Sequence, residues 1–126
     1  MATVDLTKDT FQDIITGNDT ILVDFWAPWC GPCKQFAPVF ESMSENHPDV
    51  VFAKVNTEEE RELAGHFQIR SIPTLMVFRH QIIVFSQPGA LPPASLASVN
   101  EKVGELDMDE VRRQVAEQSE TGQENA

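Results

Sequence analysis

The stretch "ILVDFWAPWCGPCK", Ile21 to Lys34, limits the fold more than any other part of this chain. Ile21 to Trp26 is a short apolar run broken by one aspartate, the pattern of a strand buried on both faces. Such strands belong to parallel sheets, whose neighbouring strands are joined by crossover helices. The flanking sequence supplies them. "TKDTFQDIITG" puts Phe11, Ile14 and Ile15 on one helical face, with Thr7 as cap and Gly17 as stop. Beyond the two cysteines, Phe36, Val39, Phe40 and Met43 recur at helical spacing until His47-Pro48, and Pro38 inside this helix should kink it. "VVFAKVN" reads as a second buried strand, after which Thr57 and Glu60 have capping-box spacing for a helix through Leu63 and Ala64. "TLMVF" and "IIVF", separated only by "RHQ", predict an antiparallel hairpin, and a helix carrying Leu96, Val99 and Val103 follows. The fold class is therefore α/β, with a central mixed β-sheet flanked by helices.

A chain of 126 residues makes one domain, and no internal repeat divides it. Its net charge of −11 argues against nucleic acid, whose phosphates need clustered Lys and Arg, and against an anionic membrane surface. No segment reaches the length of a membrane span. The start, "MATVDLTKDT", lacks the basic-then-apolar layout of a secretory signal, so a cytoplasmic location is expected, where permanent disulfides are rare.

Cys30 and Cys33 admit three readings. A zinc site needs four ligands, but no second cysteine pair exists, and His47, His66 and His80 have no ligand spacing. A Cys30–Cys33 staple would close too short a loop to constrain the unfolded chain much. Redox chemistry remains, and C-x-x-C beside a βαβ pattern is its signal. Cys30 follows a strand and opens a helix, where unpaired N–H groups and the positive end of the dipole favour a thiolate. Pro32 falls in the first helical turn, where a missing N–H costs little. Cys33 lies about one turn later on the same side, within reach of a disulfide formed at Cys30.

"VDFWAPWCGPCK" resembles the thioredoxin family, and W-C-G-P-C is among that family's most specific motifs. The likeness continues through "AKVNTEEE", "IRSIPTLMVF" and "QPGAL", covering about residues 3–103. It implies a thioredoxin fold and reduction of protein disulfides, with Cys30 attacking and Cys33 resolving to leave a Cys30–Cys33 disulfide. It implies that Asp24, a carboxylate whose burial should raise its pKa, serves as the base for Cys33. Pro73 becomes the family's cis-proline opposite the cysteines. Ile72, Trp29, Gly89 and Ala90 become the groove for an extended substrate segment, Gly31 and Pro32 the reducing-type dipeptide, and Lys54 the lysine near the buried acid. No G-x-G-x-x-G occurs, so no bound cofactor is expected, and the family suggests electrons from a separate NADPH-dependent flavoprotein, thioredoxin reductase. The alternatives are an oxidase or isomerase on the same fold, which usually carries histidine between the cysteines, and a binding module or co-chaperone using the acidic tail.

Two features depart from the family. Its hairpin usually turns through glycine, whereas Arg79-His80-Gln81 stands here, so a longer turn or another turn type is expected. After a thioredoxin domain spanning 1–104, residues 105–118 read as an added helix. Asp107 and Glu110 form a capping box there, and Met108, Val111 and Val115 share one face. Residues 101–126 hold −5 of the total charge, and 119–126 read as a disordered tail. The added helix is expected to pack on a monomer; a dimer contact or client surface is the other reading.

Overall fold

The computed structural model describes residues 2–124, with side chains described to residue 118. Five strands form one sheet: β1 (Thr3–Asp5), β2 (Thr20–Trp26), β3 (Val51–Asn56), β4 (Thr74–Arg79) and β5 (Ile82–Pro88). Their order across the sheet is β1-β3-β2-β4-β5. β1, β3 and β2 are parallel, whereas β4 runs antiparallel to both β2 and β5. β1 goes beyond the sequence reading, because three residues with mixed polarity carry no detectable period; its register against β3 is what makes it a strand.

Helices cover both faces. Residues of β2 alternate between two cores, as a strand buried on both sides requires. Ile21, Val23 and Phe25 pack with Ile15 of α1 (Phe11–Gly17) and Leu63 of α3 (Arg61–His66). On the other face, Leu22 packs with Phe36 and Phe40 of α2 (Gly31–Asn46) and with Leu96 and Val103 of α4 (Pro93–Glu105). Pro38 lies inside α2, and His47 ends that helix. This alternation places Asp24 on the α2 face, two residues along from Leu22. Lys54 lies there too, two residues along β3 from Phe52.

Two local expectations are corrected. Thr57 and Glu60 form no capping box: the Thr57 hydroxyl donates to the Trp26 carbonyl (3.0 Å), and a Glu60 carboxylate oxygen accepts the Lys8 N–H (2.7 Å). Tertiary partners have taken both side chains. The hairpin turn is not lengthened: Arg79 pairs with Ile82, leaving His80 and Gln81 at φ 51° and 67°. These are two non-glycine residues in left-handed conformation, held by groups outside the turn. The His80 N–H donates to the Asp19 carbonyl (2.9 Å), its ring pairs with the Asp19 carboxylate, and Nδ1 accepts from the Arg112 guanidinium (2.6 Å). Arginine can only donate, so the ring hydrogen sits on Nε2, facing Asp19.

Arg112 belongs to α5 (Met108–Glu124), the added helix. Asp107 caps it, accepting the N–H groups of Asp109 (3.1 Å) and Glu110 (3.3 Å), while Glu110 itself turns to Arg113. Met108 is buried, and the side chains from Arg112 to Gln118 are exposed. α5 continues past residue 118, since "SETGQE" holds no proline to interrupt it, and its least favourable residue, Gly122, costs about 1 kcal/mol. Residues 125–126 of the expected tail lie outside the described residues.

Candidate active site

β2 delivers the chain at the carboxyl end of the parallel strands, the end at which open α/β sheets hold their sites. Cys30 is the N-cap of α2, with extended backbone (φ −84°, ψ 114°), and its sulfur accepts the Cys33 N–H at 3.2 Å. Helix geometry makes that contact available: the first N–H groups of a helix lack intrahelical partners, and this one finds sulfur. Gly31 and Pro32 open the helix, and proline there forfeits no hydrogen bond. Cys30 and Cys33 are joined as a disulfide with Cα atoms 5.2 Å apart, and both are buried.

The loop before β4 closes over the pair. Cys30 Sγ lies 3.6 Å from the Ile72 carbonyl oxygen, and the Ile72–Pro73 bond is cis. The Pro73 carbonyl in turn accepts the Gly89 N–H at 2.7 Å, bringing the end of β5 beside the start of β4. Gly89 has φ +105°, a conformation that suits glycine alone. Ile72 is half-buried, while Gly89 and Ala90 are exposed. Trp29 precedes the cysteines with 67% of its surface open to solvent, and its indole N–H donates to the Glu58 carboxylate. Cys30, Cys33, Ile72, Pro73 and Gly89 thus form one connected group, with a tethered indole at its rim.

Beneath α2 lies a different environment. Asp24 is fully buried, and neither carboxylate oxygen has a hydrogen-bond partner. Burial pushes its pKa from 3.8 up to about 7, with the charge of Lys54 opposing that rise. Lys54 is the β3 partner of Asp24, yet its ammonium turns elsewhere: 3.9 Å from Glu41 Oε1 on α2 and 4.8 Å from the centre of the Trp26 ring.

Glu58 and Glu41 escape the sequence reading. Glu58 is one of three consecutive glutamates after β3, and nothing local marks it as the one that reaches the indole. Glu41 reads as an ordinary polar position of an amphipathic helix. Among the described residues no group of three His, Cys, Asp or Glu could hold a metal ion, and no helix is long and apolar enough to cross a membrane.

The thioredoxin family model matches residues 2–102. The chain is 58% identical over 117 residues to a Streptomyces coelicolor protein that carries the name thioredoxin 2, covering 93% of this chain and 87% of that one. It is 46% identical over 104 residues to the thioredoxin of Alicyclobacillus acidocaldarius, covering 78% of this chain and 98% of its relative. Among solved structures, a single-site variant of thioredoxin from Halobacterium salinarum superposes with a TM-score of 0.76 at 32% identity, covering 83% of this chain and 93% of that one. Identity at this level, across a sheet and disulfide built as described, means that the chain belongs to the thioredoxin family and is a thiol-disulfide oxidoreductase that reduces protein disulfides.

Proposed function

We propose that Cys30 is the attacking thiolate and Cys33 the resolving thiol. One observation carries the assignment: the Cys30 sulfur caps α2 and receives the Cys33 N–H, a donor that would stabilise a thiolate there. In the dithiol form, Cys30 attacks one sulfur of a substrate disulfide. A bond forms between the two sulfurs, the substrate's S–S bond breaks, and its other sulfur leaves as a thiolate and takes up a proton. Asp24, as carboxylate, removes the Cys33 proton, through a water where direct contact is lacking. Cys33 then attacks Cys30 and releases the second substrate thiol, so two electrons have passed to the substrate.

Trp29, Ile72, Pro73, Gly89 and Ala90 receive an extended substrate segment, the exposed indole and the open backbone at residues 89 and 90 offering its contacts. Lys54 tunes Asp24. The Cys30–Cys33 disulfide is reduced again by a separate NADPH-dependent flavoprotein reductase, in the cytoplasm, with this chain acting as a monomer on which α5 is an added structural element. Trapping tests the division of labour. Cys33→Ser should hold substrate proteins covalently on Cys30, and Cys30→Ser should hold none. An empty Cys33→Ser trap, or trapping by Cys30→Ser, refutes the assignment. Asp24→Asn should slow resolution of a preformed mixed disulfide, and an unchanged rate removes its role as base.

A further inference from the structure

Asp24 and Lys54 are opposite charges on neighbouring strands, paired in register and on one face of the sheet. A buried carboxylate beside a lysine would ordinarily close into an ion pair, since an unpaired buried charge is costly. Here it has not closed, and both Asp24 oxygens lack a partner. The Lys54 ammonium is held instead between Glu41 of α2 (3.9 Å) and the face of Trp26 (4.8 Å to its centre), with 14% of the side chain exposed. Glu41 is therefore a competing anion for the lysine paired with Asp24. On this face β4 presents Leu75 opposite Asp24, and α4 presents the apolar Leu96 and Val103. α2 contributes Glu41 and the two cysteines, which do not titrate as a disulfide. On the far side of Lys54, β1 presents the exposed Asp5 in register, and Glu59 and Glu60 line the same cleft. Among the described residues, Lys54 and Glu41 are the charged groups bonded into this face next to the acid, with Asp5, Glu59 and Glu60 beyond the lysine.

We infer that Glu41 is a positioning residue of the active site: by engaging Lys54 from α2, it keeps the Asp24–Lys54 pair open, so that the buried acid stays free to exchange a proton. The inference deepens the reading of Asp24 as base and rests on it for its catalytic meaning. With Glu41 neutral, Lys54 loses its α2 partner and shifts toward Asp24, stabilising the carboxylate. Exposure of about a third of the Glu41 side chain means that glutamine fits without disturbing the core.

The test follows the Asp24 carboxyl directly, by carbon NMR titration of the oxidised protein, in wild type, Glu41→Gln, Lys54→Gln and the double variant. Glu41→Gln should lower the Asp24 midpoint by about half to one pH unit, the size of one partly screened charge at this range. Lys54→Gln should raise it. In the double variant the effect of Glu41→Gln should vanish, because its carrier is gone. No shift in Glu41→Gln overturns the inference. So does an equal shift with and without Lys54, which would mean a direct field from Glu41. The pH profile of mixed-disulfide resolution should move down with the midpoint in Glu41→Gln. A midpoint that moves while the profile stays fixed leaves the role of Glu41 intact and refutes Asp24 as the base.

Discussion

Replacing Asp24 by Asn should make the protein more stable, by an amount that grows with pH. The folded state holds the Asp24 proton more tightly than the unfolded chain, because burial raises the pKa from 3.8 to about 7. Between those values the folded state binds more protons, so stability falls as pH rises. The contribution is fully present below pH 3.8 and is lost as pH passes through about 7. Each pKa unit corresponds to about 1.4 kcal/mol, so a rise of about three units removes about 4 kcal/mol by pH 8.5. Asparagine has nearly the same shape and never ionises. The gap in unfolding free energy between Asp24→Asn and wild type should therefore be near its minimum at pH 4, about 1 kcal/mol larger at pH 5 and about 4 kcal/mol larger at pH 8.5. Urea unfolding of both oxidised proteins across that range measures it, and the other titrating groups cancel in the comparison. The buried amide adds an offset of its own, but not a slope. A gap that stays constant from pH 4 to 8.5 would refute the argument that Asp24 is desolvated and unpaired.

Glu58→Gln weakens the tether on Trp29 and should slow mixed-disulfide formation with protein substrates severalfold, while reduction of a small symmetrical disulfide stays within twofold; stopped-flow tryptophan fluorescence reads both. Gly89→Ala meets no steric obstacle, but φ +105° should cost about 1–3 kcal/mol in denaturant unfolding, with a lower rate of insulin reduction. Met108→Ala should cost about 2–3 kcal/mol, since that side chain is 5% exposed, and should leave insulin reduction within twofold because α5 docks at the hairpin turn.

What the sequence disclosed depended on whether a residue's partner was local. The buried strand of Ile21 to Trp26, the helix opened by Gly31 and Pro32, and the cysteine spacing are patterns within a few residues, and the structure bears them out. The family resemblance extended that reading to Pro73 and Gly89, whose contact spans the hairpin. β1 escaped because three residues carry no period, and it exists only through pairing with β3. Thr57 and Glu60 misled for the opposite reason: the local motif was real, but the Trp26 carbonyl and the Lys8 N–H outcompeted the helix end. Glu41 and Glu58 were indistinguishable from solvated charges until the fold brought Lys54 and Trp29 to them.

The missing hairpin glycine and the added helix look like separate departures in the sequence, but they share one cluster of contacts. Each left-handed non-glycine residue costs roughly 1–2 kcal/mol, and the turn holds two of them. Asp19 meets the turn from the start of β2, binding both the backbone N–H and the ring of His80. Burial works to raise the pKa of Asp19, but the Thr20 hydroxyl, His80 and Arg79 outweigh it and hold Asp19 below the usual carboxylate range, ionised to serve both neighbours. Arg79 also donates to the carbonyls of Val103 (2.6 Å) and Leu106 (3.0 Å), satisfying the end of α4 at the point where a chain ending near residue 104 would stop. α5 then starts at Met108, and its first turns bring Arg112 back to His80 Nδ1. A glycine at residue 80 would relieve the backbone and offer neither ring nitrogen. Histidine here converts a turn that needs no support into one that uses Asp19 on one side and the added helix on the other, so its conformational cost is offset by two contacts to Asp19 and by a third, to Arg112, that exists only when α5 is docked.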